Sequence, residues 1–211
     1  MLCAGLITIM LAFSPVSADR TEFTEFLSQL KKEGVIPSTE GELVSFGSFT
    51  DSYTNMGSVR WYSVTEAENF VISSDITWLS ASTTPNGPVA GCGFVFAANS
   101  AAKGFLLSSM RMDGNVYLSG SQYGNLLSYG KNFVSNPSME GSARMTLVVN
   151  GENVSVYINN ARLLNRSSLV TQGEEVGFAV LSGTNKDFGT QCTFENTFLY
   201  KIGRASCRER V

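Results

Sequence analysis

The chain has 211 residues, with 18 acidic against 15 basic side chains and no histidine. The missing histidine excludes Ser-His-Asp and Cys-His catalysis and any histidine-ligated metal site. The net charge of -3 and the lack of a basic stripe argue against a nucleic-acid partner.

The first 18 residues form an uncharged apolar run that ends in Val16-Ser17-Ala18. An apolar segment followed by small residues is typical of a secretory signal peptide. The run is shorter than the roughly 20 apolar residues that a membrane span needs, so the mature protein is expected to be secreted or at the cell surface, without a span. The basic residues that usually open a signal are missing, which leaves a short membrane anchor, or a true start further upstream, as alternatives.

A helix and linker are predicted for residues 19–42, with the helix over 19–33. Asp19 or Thr21 can cap the helix, and Gly34 can end it. One apolar stripe runs along its length and has to be covered, either by the outside of the following domain or by a partner. The stripe consists of Phe23, Phe26, Leu27 and Leu30.

The apolar period changes to two after the helix, which predicts many short strands and no second helix. The predicted strands are 43–49, 59–64, 70–79, 92–97, 104–110, 115–118, 144–149, 153–158, 162–164, 176–181 and 192–200. Such a series indicates a single β-sandwich or barrel domain over residues 43–201. Residues 119–141, rich in Ser, Gly, Asn and Tyr, are predicted to be the longest irregular segment.

The clearest hairpin is centred on Asn150-Gly151, a pair that accepts the positive φ of a tight turn. This centre pairs Leu147 with Val154 and Met145 with Val156 on a core face, and it leaves the opposite face in water. A slip of one residue is excluded by the alternation, whereas a slip of two residues with a four-residue loop is not.

Cys92 and Cys192 are the two cysteines left once Cys3 is assigned to the signal and Cys207 to the tail. An even pair in an exported chain predicts a disulfide, with two free buried thiols as the alternative. Both are predicted to face the core in phase with aromatic residues of their own strands. Those residues are Phe94 and Phe96 for the first cysteine, and Phe194 and Phe198 for the second.

Residues 202–211, read IGRASCRERV, resemble the translation of a common sequencing-library adapter. We therefore interpret them as an artefactual tail and not as part of the domain. The alternative is a genuine basic tail.

Three segments carry a family resemblance: GCGFVF at 91–96, MTLVVNGENVSVYINNARLL at 145–164, and VGFAVLSGTNKDFGTQCTFENTFLY at 176–200. They resemble the concanavalin A-like lectin/glucanase superfamily, in particular the laminin-G-like modules of secreted bacterial proteins. The resemblance covers residues 69–200. It implies an all-β jelly-roll β-sandwich of antiparallel sheets, here with one short N-terminal helix, in a superfamily of lectins, sugar-binding modules, glycosidases and adhesion domains.

Catalysis in this superfamily uses paired carboxylates on one strand, and the E-x-D-x-x-E run of its glucanases is absent here. Glu66 and Glu68 have a suitable spacing but precede a strand, and Asp75 is alone within one. We therefore expect no enzyme but a non-catalytic carbohydrate-binding or adhesion module. The alternatives are a divergent glycoside hydrolase and a purely structural domain whose helix stripe docks on a partner.

Ligand binding is predicted for residues in and near the 119–141 segment, where aromatic rings and amides lie together. This set consists of Asn115, Tyr117, Gln122, Tyr123 and Tyr129. Tyr157 beside Arg144 and Asp75 is predicted to form a second outward patch. Ordinary edge packing is the alternative for each tyrosine.

Trp78 is predicted to lie in the core, and the place of Trp61 is left open. The expected partner is a glycan or cell-surface polysaccharide, and the sequence indicates no oligomeric state. No cofactor is expected, although two loops carry hard oxygens that suit calcium or, equally, turn formation. These are Asp113 with Asn115, and Asn185 with Asp187.

Overall fold

The computed structural model describes residues 20–99, 104–122, 125–169 and 173–203. Within them lie one α-helix, α1 (Arg20–Lys32), a short 3₁₀ helix (Gly87–Val89) and thirteen strands. The strands are β1 (Gly41–Phe46), β2 (Phe49–Tyr53), β3 (Val59–Glu66), β4 (Phe70–Ser80), β5 (Gly91–Asn99), β6 (Gly104–Arg111), β7 (Asn115–Gln122), β8 (Asn125–Phe133), β9 (Glu140–Asn150), β10 (Asn153–Ile158), β11 (Ala161–Arg166), β12 (Glu175–Leu181) and β13 (Thr190–Ile202). The predicted signal and residues 204–211 of the predicted tail lie outside the described residues.

Two antiparallel sheets face each other. The seven-stranded sheet has the order β1-β13-β4-β9-β10-β11, with β2 also paired to β13, and the six-stranded sheet has the order β3-β12-β5-β6-β7-β8. Phe94, Phe178 and Phe194 stack between them, the last two with ring centroids 4.5 Å apart. The predicted all-β sandwich is confirmed.

A disulfide joins the sheets. Cys92 on β5 bonds to Cys192 on β13, and both residues are fully buried in the core. The predicted bridge is therefore present, and it ties together strands that are distant in sequence.

Helix α1 covers the outer face of the seven-stranded sheet. Its apolar stripe is buried against Val71, Val148 and Tyr157, and the ring of Phe26 meets that of Tyr157 edge-on at 5.3 Å. The sheet, and not a partner, thus covers the stripe. The prediction that the second face of the β9–β10 hairpin is wet was wrong, because α1 lies over it. Among the described residues, no helix combines the length and apolarity needed to cross a bilayer.

The hairpin register is shifted by two residues from the predicted one. Leu147 pairs with Val156, and Asn150 pairs with Asn153, so the loop consists of Gly151 and Glu152. Gly151 alone has a positive φ in this turn, 60°. A shift of two keeps the same side chains on the core face, which is why the predicted faces hold although the predicted pairs were wrong.

Strand β13 changes phase at a β-bulge. Its pairing with β4 shifts between Glu195 and Phe198, and Asn196 has a φ of 48°. Phe194 faces the core before the bulge and Leu199 faces it afterwards. The prediction that Phe198 faces the core was wrong, because the extra residue turns it towards α1.

Two strands were not predicted. Residues 119–141, expected to be irregular, contain the end of β7, all of β8 and the start of β9. The expected strand over 43–49 corresponds to β1, which ends at Phe46, whereas β2 begins at Phe49 and was not predicted. Strand β8 lies at the edge of its sheet, where backbone pairing with β7 holds a polar sequence that shows no alternation.

Candidate functional site

The outer face of the six-stranded sheet carries a row of residues that lie opposite one another in adjacent strands. From β3 to β8 the row is Trp61, Ala179, Gly93, Ser109, Tyr117 and Lys131. Strands lie about 4.8 Å apart, so the row spans about 24 Å. Large side chains thus occupy both sides of the face, and small residues occupy its middle.

The middle of the face is a small apolar platform. A Cβ atom on Gly93 would collide with the carbonyl oxygen of Ser108, so the residue there has to be glycine. Val95 and Leu107 are fully buried under the half-buried rings of Trp61 and Phe105, whose centroids are 6.3 Å apart. The platform therefore presents two partly exposed aromatic rings supported by a rigid apolar base.

Arg111, at the end of β6 opposite to Phe105, lies on the same face of the sheet and is 8% exposed. Its guanidinium carbon is 4.6 Å from the ring centroid of Tyr117. Nε donates to Ser109 Oγ at 3.0 Å, and Nη1 donates to the carbonyl of Pro88. Burial lowers the pKa of Arg111, while Tyr117 and Asp113 act in the opposite direction. The arginine remains charged, since its ordinary pKa is far above neutrality.

Tyr117 is held by the turn that precedes its strand. Its hydroxyl donates to Asp113 Oδ2 at 2.6 Å, and the Asn115 backbone N–H donates to Asp113 Oδ1 at 3.1 Å. Burial, together with the hydrogen bond to the Asp113 carboxylate, raises the pKa of Tyr117 to about 12. The hydroxyl is therefore a proton donor throughout the physiological range, and the ring is fixed in place.

The edge strand β8 completes this side of the face. Lys131 lies opposite Tyr117, and Phe133 lies opposite Asn115. Lys131 is exposed, and Phe133 is 60% exposed. A cation and an aromatic ring thus stand at the rim next to Tyr117.

The predicted set of ligand-binding residues is divided by the structure. Tyr117 faces this platform, and Asn115 shares its side of β7. The ring of Tyr129 instead lies against Gly120 on the other side of the sheet. Gln122 belongs to β7 but its side chain is not described, and Tyr123 lies outside the described residues.

The second predicted patch lies on the other sheet, at the start of α1. Arg144 Nε donates to Asp75 Oδ1 at 3.0 Å, and its Nη1 donates to Glu22 Oε1 at 2.5 Å. Burial lowers the pKa of Arg144, but the hydrogen bonds to Asp75 and Glu22 outweigh it and raise this pKa. Tyr157 points away from the sandwich core, as predicted, but helix α1 covers it and leaves it 3% exposed, so the predicted surface patch was wrong. This cluster ties the helix to the sheet.

Sequence reasoning missed the contributions of Arg111, Lys131 and Phe133, and it left Trp61 undecided. The one available signal for Arg111 was its alternation with Ser109 and Leu107 on β6. For the two residues on β8 the segment gave no signal, because no strand was expected there. Trp78 is half-buried against the core, on the side predicted for it.

Two of the four side chains proposed for calcium, Asp113 and Asn185, already accept hydrogen bonds. Asp113 accepts the hydrogen bonds described above, and Asn185 Oδ1 accepts one from the Met56 backbone N–H at 2.7 Å. The described residues hold no group of three or more Asp, Glu, Cys or His side chains placed to bind a metal. Calcium binding stays a prediction.

One cavity combines two carboxylates with a cation. It has a volume of about 310 Å³ and is lined by Glu68, Glu174 and Lys201, among others, at one end of the sandwich. Glu66 and Glu68, the pair singled out in the sequence, do not line it together. Glu66 instead lies opposite Glu175 in the pairing of β3 with β12, so both this cavity and that cross-strand pair bear on the hydrolase alternative.

No family model and no curated protein matches the chain. Several solved structures are similar to the chain in fold. The carbohydrate-binding module CBM66 from Bacillus subtilis is 11% identical with a TM-score of 0.58, covering 79% of this chain and 99% of that one. A protein of unknown function with a galectin-like fold from Bacillus subtilis is 13% identical with a TM-score of 0.50, covering 78% and 91%. The β-fructofuranosidase of Aspergillus kawachii is 12% identical with a TM-score of 0.55, covering 87% of this chain but 31% of the enzyme.

At these identities the likeness concerns the fold. The chain has a concanavalin A-like jelly-roll fold, as the sequence resemblance implied. Its similarity to the binding module extends over nearly all of that module, whereas it spans less than a third of the fructofuranosidase.

Proposed function

We propose that this protein is a secreted or cell-surface carbohydrate-binding module without catalytic activity, and that glycan lies on the outer face of its six-stranded sheet. The observation that carries the proposal is that the platform of Trp61 and Phe105 and the polar groups of Ser109, Arg111 and Tyr117 share one face of the sheet. Sugar rings have apolar C–H faces that pack on aromatic rings and hydroxyls that need hydrogen-bond partners, and such a surface supplies both.

Among the described residues, no carboxylate pair lies beside Ser109, Arg111 and Tyr117, which supports a binding role there; Glu66 and Glu175, cross-strand neighbours on β3 and β12, are at the other end of the sheet. Glycoside hydrolysis needs two carboxyl groups that flank the scissile bond, one of them free to donate a proton. Asp113, the carboxylate beside Tyr117, has both oxygens engaged within its own turn. The fold of the binding module CBM66, matched over its whole length, agrees with this interpretation.

Retention on immobilised polysaccharides tests the proposal. The panel includes β-fructans, because a fructosyltransferase and a β-fructofuranosidase are among the proteins of similar fold. We expect at least one polysaccharide to be bound and Trp61→Ala to weaken that binding by about 10-fold, as the loss of an aromatic anchor does. Tyr62→Ala is the control, because Tyr62 is the next residue on β3 and its ring contacts Phe49 on the opposite side of the sheet.

Reducing-sugar release is measured in the same mixtures. Binding without release supports a module. Release that Glu68→Gln or Glu174→Gln abolishes would favour the hydrolase alternative, and an unchanged affinity of Trp61→Ala would move the binding site away from this face.

A further inference from the structure

We infer that the glycan bound by this face is anionic, carrying carboxylate or sulfate groups that contact Arg111 and Lys131. The inference rests on the proposed carbohydrate-binding function and specifies its ligand class. We call the four residues Arg111, Tyr117, Lys131 and Phe133 the cationic corner.

The register of the sheet brings the two cations of the corner to one side of the face. Arg111 on β6 stacks over the ring of Tyr117 on β7, and Lys131 on β8 is the cross-strand neighbour of Tyr117. Adjacent strands lie about 4.8 Å apart, so both charged groups reach a ligand held over the tyrosine.

Arg111 differs from the other buried or half-buried arginines in its partners. Arg60 is paired with Asp51, and Arg144 with Asp75 and Glu22. Among the described residues, no carboxylate lies within the 4.0 Å ion-pair distance of Arg111, and its hydrogen bonds go to a hydroxyl and a carbonyl. A buried charge without a counter-ion is costly, and an anionic ligand would supply one.

The corner keeps an excess of positive charge although Asp113 is near. Both Asp113 oxygens accept hydrogen bonds, from the Tyr117 hydroxyl and the Asn115 backbone, so this carboxylate orients the tyrosine. Lys131 Nζ likewise has no carboxylate within 4.0 Å in the described part of the chain. Two cations against one carboxylate leave a local net charge of about +1 on a molecule whose total charge is negative.

The remaining donors suit oxyanions on a sugar ring. Arg111 Nη2 has no hydrogen-bond partner among the described residues and donates to an acidic oxygen, while the Lys131 ammonium donates from the rim. Phe133, 60% exposed, offers an apolar surface for the face of the same ring. Uronic acids and sulfated sugars share this combination of an oxyanion and an apolar ring face.

Matched polymers that differ only in charge test the inference. Affinity electrophoresis compares polygalacturonate with its methyl ester, and dextran sulfate with dextran, at low and moderate salt. We expect tighter binding of the charged member of at least one pair, and the pair that shows it tells carboxylate from sulfate. We expect Lys131→Gln to weaken that binding about 5-fold, in line with an exposed charge contact.

Lys32→Gln is the control, since it removes the same charge from helix α1 on the other sheet. Arg111→Lys keeps the charge but loses the planar fork, and its folding is checked by thermal unfolding before binding is measured. Equal losses in Lys131→Gln and Lys32→Gln would show non-specific attraction and overturn the inference. If neutral glycans bind in a way that depends on Trp61, and the charged polymer of each pair binds no more tightly, the anionic ligand class is overturned. The proposed carbohydrate-binding function is then still supported. Retention of no polysaccharide overturns both.

Discussion

Tyr117 shows how a single residue connects the fold to the candidate site. Its backbone belongs to β7, its hydroxyl is fixed by Asp113 in the preceding turn, and its ring supports the guanidinium of Arg111. The aromatic ring, the donor and the cation therefore keep a fixed geometry before any ligand arrives, which lowers the entropic cost of binding.

The raised pKa of Tyr117 predicts a loss of stability at alkaline pH. The pKa is about 12 in the folded state, against 10.0 for an ordinary tyrosine. Between these values the unfolded chain has lost the proton that the folded chain keeps, so stability is full below pH 10 and falls as pH rises towards 12. Urea unfolding from pH 8 to pH 12 is expected to show this fall. Burial also raises the pKa of Tyr157 and of Tyr200, so both residues contribute to the same loss of stability at alkaline pH.

Tyr117→Phe is expected to make the alkaline fall shallower and to cost about 1 kcal/mol at pH 8, the worth of one hydrogen bond. Tyr62→Phe removes an exposed hydroxyl and serves as the control. An unchanged alkaline profile in Tyr117→Phe would contradict the assigned hydrogen bond to Asp113.

Asn115 and Tyr117 were predicted to bind a ligand because they lie near a segment rich in aromatic and amide side chains, and the structure places both on one side of β7. The composition of that segment could be read from the sequence. It could not predict Arg111. A charged residue at the end of an apolar strand normally marks the exit into solvent, and its burial here depends on Pro88, which comes from a turn more than twenty residues earlier.

At the scale of elements, the bulge in β13 decides which side chains reach the core. Alternation predicted the correct faces before the bulge, but nothing in the sequence marks the extra residue, so the faces predicted after Asn196 were wrong. The predicted register of the β9–β10 hairpin was also wrong, because Gly151 is the first residue of the loop and not the second. A shift of two residues leaves the same side chains on each face, so this error did not change the predicted core. Strand β8 was missed because an edge strand needs backbone partners more than apolar alternation.

Asn196 is the residue that lets β13 change phase. Its φ of 48° lies in the left-handed region, which asparagine tolerates and β-branched residues avoid, and its Nδ2 donates to Asp75 at 2.9 Å. We expect Asn196→Val to destabilise the fold by about 1 to 2 kcal/mol more than Asn196→Gly in urea unfolding, although both lose the hydrogen bond. Equal losses would mean that the hydrogen bond, and not the backbone conformation, is what Asn196 contributes.

At the scale of the whole molecule, two layers are held together by one aromatic core and one covalent bridge. The sequence predicted both layers and the bridge, because the period of two and an even cysteine pair are local signals. The order of the strands depends on contacts between distant segments, and the position of α1 depends on which outer face offers a matching apolar surface. Neither the strand order nor the position of α1 can therefore be predicted from a single segment of the sequence.

The disulfide between the sheets is expected to contribute a large part of the stability of the domain. Cys92 and Cys192 are 100 residues apart, and closing a loop of that length is worth up to about 4.7 kcal/mol in the chain-entropy model. A domain of this size has a total stability of roughly 5 to 15 kcal/mol, so the loss is a large fraction. We expect Cys92→Ala with Cys192→Ala to lower the free energy of unfolding by about 4 kcal/mol, measured by urea denaturation.

Reduced wild-type protein is the matched control and should unfold at a similar urea concentration, because it too lacks the cross-link. A loss below about 1 kcal/mol in both would show that the core alone fixes the two sheets. Since the platform on the outer face rests on β5, the strand that carries Cys92, we further expect glycan binding by the oxidised protein to survive urea concentrations at which the reduced protein has released its ligand.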